Sequence, residues 1–306
     1  MKKNMIIAVV LIMINLSAVA QLQVGQGINS WFHKTPQVHN MGLIYMSSVP
    51  MVSLTGSSCM DGFGNHPTQG TILASGFLTD GVGIGCKIDR EKAGLSGHLD
   101  AQVAFVYRIF LSKEKGDKLS FFLGGHFTQD QFATNDVVVL DPNDPGLQNV
   151  SQFQPNGNAS AGFSFLRENK YYAGISSYQL LENKNAFLNS EWENVHQRTY
   201  YFVGGYTYEL NEKFGLELSG ASVFANAKAF VWDIGLDLKF NKMCWLGVGY
   251  RSIGAMKFDI GVTAQSWSFG YLCVYGSWVD VKAYTYKSIN NSIFIRKVFN
   301  EGRGNK

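Results

Sequence analysis

Charge is scarce in this chain. Asp, Glu, Lys and Arg make up 16% of its 306 residues, against about 25% in an ordinary soluble domain. What charge there is does not favour one sign strongly: 26 basic residues face 23 acidic ones, which excludes the clustered Lys and Arg of a nucleic-acid-binding surface. The 6 prolines are too few for a polyproline or low-complexity chain. The 4 cysteines (Cys59, Cys86, Cys244, Cys273) include no C-x-x-C pair and no histidine at ligand spacing, so neither a zinc module nor a disulfide scaffold is indicated. Catalytic signatures are missing too. The histidines are scattered and no G-x-S-x-G occurs.

Long apolar runs are also absent, with one exception at the start. Met1-Lys2-Lys3 precedes an apolar stretch from Met5 to Leu16 and the small-residue site Ala18-Val19-Ala20, the pattern of a secretory signal peptide cleaved after residue 20. The alternative is a membrane anchor, but the stretch is shorter than the ~20 residues a spanning helix needs.

Glycine and aromatic residues are what the chain has in quantity: 33 Gly, 22 Phe, 14 Tyr and 6 Trp. From Phe230 to Phe240 every second residue is bulky and apolar (Phe230, Trp232, Ile234, Leu236, Leu238, Phe240). Between them stand Asp233, Gly235, Asp237 and Lys239. A period of two over about 10 residues with aromatics at both ends is the length and pattern of a bilayer-crossing strand. A half-buried strand of a soluble sandwich has the same period. Export, low charge and abundant aromatics decide for the barrel, the one β-architecture that satisfies every backbone group in lipid.

Similar segments recur at Thr71 to Thr79, Gly81 to Asp89, Leu99 to Leu111, Leu119 to Phe127, Gly157 to Leu166 and Tyr171 to Leu180. They continue at Arg198 to Glu209, Phe214 to Phe224, Trp245 to Arg251, Lys257 to Ala264, Gln265 to Tyr275 and Asn291 to Phe299, with weaker signals at Met41 to Met46 and Met51 to Thr55. The expected fold is all-β, a transmembrane antiparallel β-barrel of about 14 strands. Residues 1–20 form the signal peptide, 21–40 an irregular segment in the periplasm or tucked into the barrel, 41–299 the barrel and 300–306 a tail. Two excursions, Gln129 to Asn156 with its paired Asp-Pro turns and Glu182 to Gln197, are expected outside the membrane.

Candidate sites are few. Asp130, Asp136, Asp141 and Asp144 lack the D-x-[DN]-x-[DN]-G spacing of a calcium loop and read as solvated loop charge. His98 and Asp100 share a strand face, as do Ser120 and His126, but six residues of strand hold the latter two about 20 Å apart. Catalytic, cofactor and metal sites are therefore expected to be none. Asp100, Arg108, Asp233, Asp237, Lys239 and Arg251 are the charges with which a solute channel would line its constriction.

Several motifs in order resemble the PorP/SprF family of outer-membrane proteins of the type IX secretion system. They are Gly83-Ile84-Gly85 followed by Asp89 and Gly94, Val106-Tyr107-Arg108, Leu119-Ser120-Phe121-Phe122-Leu123-Gly124, Leu140-Asp141-Pro142 with Asp144-Pro145, Gln154-Pro155-Asn156 before Gly162, Tyr172 to Tyr178, Gly249-Tyr250-Arg251 and Gly270-Tyr271. Thr35-Pro36-Gln37 and Leu43-Ile44-Tyr45 depart from the family's opening Asn-Pro-Ala element and aromatic-Arg strand. The resemblance implies a noncatalytic 14-strand barrel in the outer membrane. It would serve secretion or surface attachment of a cargo protein such as an adhesin, with other secretion components and outer-membrane lipid as partners. Asp141, Asp144 and Trp192 are the expected partner-facing residues. A solute-selective channel is the alternative.

Overall fold

The period of two is realised as a closed antiparallel barrel in the computed structural model, which describes residues 28–59, 66–112, 114–132, 153–167, 170–185, 194–195, 197–225, 229–252, 254–281 and 284–299. The strands are β1 (Met51–Cys59), β2 (Thr68–Phe77), β3 (Val82–Ala93), β4 (Ser96–Ser112), β5 (Asp117–Phe132), β6 (Phe153–Arg167) and β7 (Tyr171–Tyr178), then β10 (Thr199–Glu209), β11 (Phe214–Ala225), β12 (Ala229–Phe240), β13 (Cys244–Arg251), β14 (Ala255–Ala264), β15 (Trp267–Val281) and β16 (Tyr284–Val298). The short strands β8 (Lys184–Asn185) and β9 (Asn194–Val195) form a separate ribbon in the connection between β7 and β10. Each barrel strand pairs with its neighbours, and β16 returns to β1 in the register Met51↔Val298 to Cys59↔Asn290. Closure leaves no sheet edge, which lipid would not tolerate.

On β12 the two faces separate as the sequence pattern requires. Ile234, Leu236, Leu238 and Phe240 are exposed on the outside, while Asp233 and Asp237 are buried within the lumen and Lys239 is half-buried on the same inner face. Outward rows of the same kind run round the barrel, among them Val103, Phe105 and Tyr107 on β4 and Phe258, Ile260 and Val262 on β14. Apolar exposure on this scale suits an acyl-chain solvent and not water.

Turns are tight at one end, at residues 78–81, 210–213, 241–243 and 265–266, and both long excursions leave from the other end. Asn241 and Lys242 both take left-handed backbone conformations, φ 51° and 56°, as the two central residues of the β-turn in which the Met243 N–H donates to the Phe240 carbonyl at 3.0 Å. Residue 50 and residue 299 meet at the tight-turn end, where the Phe299 N–H donates to the Pro50 carbonyl at 2.8 Å.

Two expectations are corrected. Met41 to Met46 is a 3₁₀ helix and not a strand, and the barrel starts at Met51. Its apolar residues mimic a strand pattern, but Met41, Leu43, Ile44 and Tyr45 are all enclosed, and the Asn40 side chain caps the turn by accepting from the Gly42 N–H at 2.9 Å. The excursion expected from Gln129 to Asn156 is narrower, because β5 runs on to Phe132 and Gln129 pairs with Pro155. Those residues are polar on both faces, so they carry no alternation to read.

Candidate functional site

Residues 28–46 fold back into the barrel and fill its lumen. Trp31, Phe32, Met41, Leu43 and Ile44 are almost completely buried, and the wall supplies partners for several of the plug's polar groups, which would otherwise lose their water.

At the end of β13 the Arg251 guanidinium donates to the Ile28 carbonyl at 3.0 Å and to Asp233 at 2.9 Å. Lys257 on β14 completes this cluster, 2.8 Å from Asp233 and 4.7 Å from the centre of the Phe32 ring. Trp31 donates from Nε1 to Ser292 Oγ at 2.7 Å and stacks on Phe294, ring centres 5.2 Å apart. It reaches the wall because Gly270 has no side chain: a Cβ there would stand 2.7 Å from Trp31 Cη2.

Lys34 enters a second charged cluster, its ammonium 2.5 Å from Asp237 and 3.7 Å from Glu217, while Lys239 lies 2.6 Å from Glu217. Beside it His33 Nε2 is 3.5 Å from Asp259, which also accepts from Trp245 Nε1 at 2.8 Å. Further along the plug Asn40 donates from Nδ2 to the carbonyls of Phe163 and Ile175 at 3.0 and 3.1 Å. Tyr45 stacks on Phe77 at 5.1 Å under the Arg108 guanidinium at 4.1 Å.

His39 belongs to the plug and not to a spanning strand. Its Nε2 accepts from the Asn29 backbone N–H at 2.9 Å and its ring stacks on Tyr201 at 4.6 Å. That hydrogen bond requires an unprotonated Nε2. Burial, with the positive charges of Lys87 and Arg251 behind it, pushes the imidazole pKa down to about 3. A polar cavity of about 30 Å³ remains beside it, lined by Asn29, His39, Lys87, Asp89, Asp100 and Tyr201 among others, room for about one or two waters.

Strands β4, β5 and β6 carry a polar relay. His126 Nδ1 is 2.8 Å from Asp100 Oδ1 and its Nε2 is 2.7 Å from Ser160 Oγ, which also accepts from Gln102 Nε2 at 2.9 Å. The order Ser-His-Asp is that of a hydrolase triad, but Ser160 is 0% exposed. Its Oγ also lies only 2.7 Å from where a Gly124 Cβ would be. With no space for a carbonyl at attacking distance, the relay is wall structure, and Lys87 joins it 3.3 Å from Asp100.

The charges singled out for a channel constriction are thus engaged. Asp233 pairs with Arg251, Asp237 with Lys34, Lys239 with Glu217 and Asp100 with Lys87, and Arg108 covers Tyr45. His98 and Asp100 do share the inner face, with His98 on Asp130 at 2.7 Å. Asp141, Asp144 and Trp192 lie outside the described residues. At the long-loop end a cleft of about 350 Å³ opens between β3, β4 and β5, lined by residues including Arg90, Glu91, Lys92, His98, Gln129 and Gln131. Glu217, Asp259, Ser160 and the plug residues His33, Lys34 and His39 escaped sequence reasoning. The available signal was polar residues at inward positions of otherwise apolar strands.

Solved structures of similar fold are outer-membrane channels. The CymD monoaromatic hydrocarbon channel has a TM-score of 0.53 at 11% identity, covering 90% of this chain and 94% of its own. The toluene transporter TbuX of Ralstonia pickettii has 0.51 at 12% identity, covering 84% and 91%. TodX of Pseudomonas putida, also a toluene transporter, has 0.52 at 8% identity, covering 89% and 94%. At such identities the likeness is one of fold. No curated protein matches the sequence. The family described as "Type IX secretion system membrane protein PorP/SprF" matches residues 45–289, and the chain belongs to that family.

Proposed function

We propose that this protein is a noncatalytic outer-membrane barrel that holds or passes a secreted cargo protein, such as an adhesin, at the cell surface. Family membership points to type IX secretion, and the observation that carries the reading is the filled lumen. A bore occupied by residues 28–46 and clamped by the Lys34–Asp237 and Arg251–Asp233 pairs is built for something other than free solute flow. The barrel is reached through a signal peptide cleaved after Ala20. Its tight turns face the periplasm and its long connections the exterior, the usual arrangement of such barrels. Cargo and other secretion components meet it there, through the loops that carry Asp141, Asp144 and Trp192 and through the cleft between β3 and β5, since function concentrates on loops held by a rigid scaffold.

Deleting the gene is expected to leave the cargo retained, degraded or shed into the medium with outer-membrane permeability unchanged. Purified protein in planar bilayers is expected to be silent. A deletion strain with unchanged surface proteins and altered uptake of small solutes would instead establish the second reading, a solute channel. That reading draws on the likeness in fold to the CymD, TbuX and TodX channels.

A further inference from the structure

Asp237 on β12, Gly247 on β13 and Asp259 on β14 are consecutive partners across three strands. Strands two apart are separated by roughly 9–10 Å, and the middle side chain normally keeps their residues from meeting. Gly247 has none. A Cβ built on it would lie 2.1 Å from Asp259 Oδ2 and 2.4 Å from Asp237 Oδ1, so two oxygens from different carboxylates converge on one small space over the glycine.

The outer oxygens of the same carboxylates are held in place. Trp245 Nε1 donates to Asp259 Oδ1 at 2.8 Å, and Lys34 Nζ sits 2.5 Å from Asp237 Oδ2. Donors of this kind orient carboxylates that ligate metals. Beside the two carboxylates stands His33, its side chain 2% exposed, its Nε2 3.5 Å from Asp259 Oδ1 and without a hydrogen bond. Ligand atoms of His33, Asp237 and Asp259 all lie within 4.8 Å of one another.

We propose that Asp237, Asp259 and His33 bind a divalent transition-metal cation of the zinc or manganese class, fastening the plug to the barrel wall. One imidazole and two carboxylates form a donor set for such ions. Calcium prefers about six to eight oxygen ligands, more than two carboxylates provide. Within 4.0 Å, Lys34 pairs with Asp237 and Glu217, and Lys239 pairs with Glu217; Lys257 and Arg296 act on Asp259 and Glu217 from further away. Topology alone assembles the ligands: His33 belongs to the plug and the two carboxylates stand on strands separated by a glycine.

The test uses the full barrel purified in detergent, stripped with EDTA and titrated calorimetrically with Zn²⁺ or Mn²⁺. One equivalent per chain is expected, with affinity at least about tenfold weaker in Gly247→Ala, which fills the space and keeps all three ligands, and in His33→Gln. His98→Gln, remote from the site, is expected to bind as wild type does. Heat-modifiable migration checks that each variant is folded. Should a variant fail to fold, pulsed electron paramagnetic resonance of the Mn²⁺-loaded wild type decides, and it is expected to show ¹⁴N coupling from one imidazole. Absence of saturable binding, undiminished binding in folded Gly247→Ala and His33→Gln, or a nitrogen-free Mn²⁺ signal overturns the proposal.

Discussion

The Lys34 ammonium, carried on the segment that fills the lumen, lies 2.5 Å from the Asp237 carboxylate of β12, both side chains being nearly inaccessible to water. The two residues are far apart in sequence, so their pairing couples the position of the plug to the integrity of the wall. Removing one member of a buried pair costs about 3–5 kcal/mol, since it strands the other charge. Lys34→Ala, which leaves Asp237 and Glu217 facing each other with less compensation, is therefore expected to loosen the plug while the strands remain paired. Intermittent conductance in planar bilayers where wild type is silent, with unchanged heat-modifiable migration, is the result that checks this.

The outward face of β12 gives a second prediction. Ile234 is 47% exposed on the outside and its chain neighbour Asp233 is 0% exposed in the lumen. Ile234→Arg places a guanidinium among acyl chains and is expected to cost about 2–4 kcal/mol if it lies near the midplane. The same substitution measured by urea unfolding in short-chain detergent and in lipid vesicles should be worse in vesicles. Equal cost in both would show that residue 234 does not face lipid.

A third prediction concerns the Ser160–His126–Asp100 relay. Because Ser160 is sealed between His126 and Gln102, a fluorophosphonate probe is expected to leave the folded protein unlabelled. Ser160→Ala removes the partner of His126 Nε2 and should destabilise the barrel by about 1–3 kcal/mol. Labelling that disappears in Ser160→Ala would instead reveal an accessible nucleophile.

Some of this was legible from residues alone and some was not, for physical reasons. The alternation from Phe230 to Phe240 depends only on neighbouring positions, so it placed Asp233 and Asp237 inside and Ile234 outside without a structure. Partners depend on closure of the barrel. Ser120 and His126 could be compared because they share β5, whereas Ser160 meets His126 only through cross-strand pairing of β5 with β6. Met41 to Met46 misled for the converse reason: surrounded on every side, its apolar residues imitate a strand that is not there. Gln129 to Gln131 read as a loop in the sequence because residues beyond the apolar belt need no alternation to remain paired.

The fourth prediction is acid sensitivity of the plug. His39 accepts a hydrogen bond from the Asn29 N–H at Nε2, and burial together with Lys87 and Arg251 holds its pKa at about 3 against an ordinary 6.5. Between those two values the unfolded chain carries a proton on His39 that the folded chain does not. Stability therefore rises with pH across that window, is fully present above about 6.5 and is lost as pH falls toward 3, at roughly 1.4 kcal/mol per pH unit once the unfolded side is protonated. Protonation also breaks the contact that ties Asn29, at the start of the plug, to His39. His39→Gln keeps a side-chain acceptor but cannot titrate. Unfolding of the two proteins compared from pH 7 to pH 4.5, above most carboxylate titration, is expected to show the wild type losing stability faster than the variant on acidification. Parallel profiles would mean that His39 titrates alike in the folded and unfolded chain, so that burial and the Asn29 hydrogen bond do not hold it neutral.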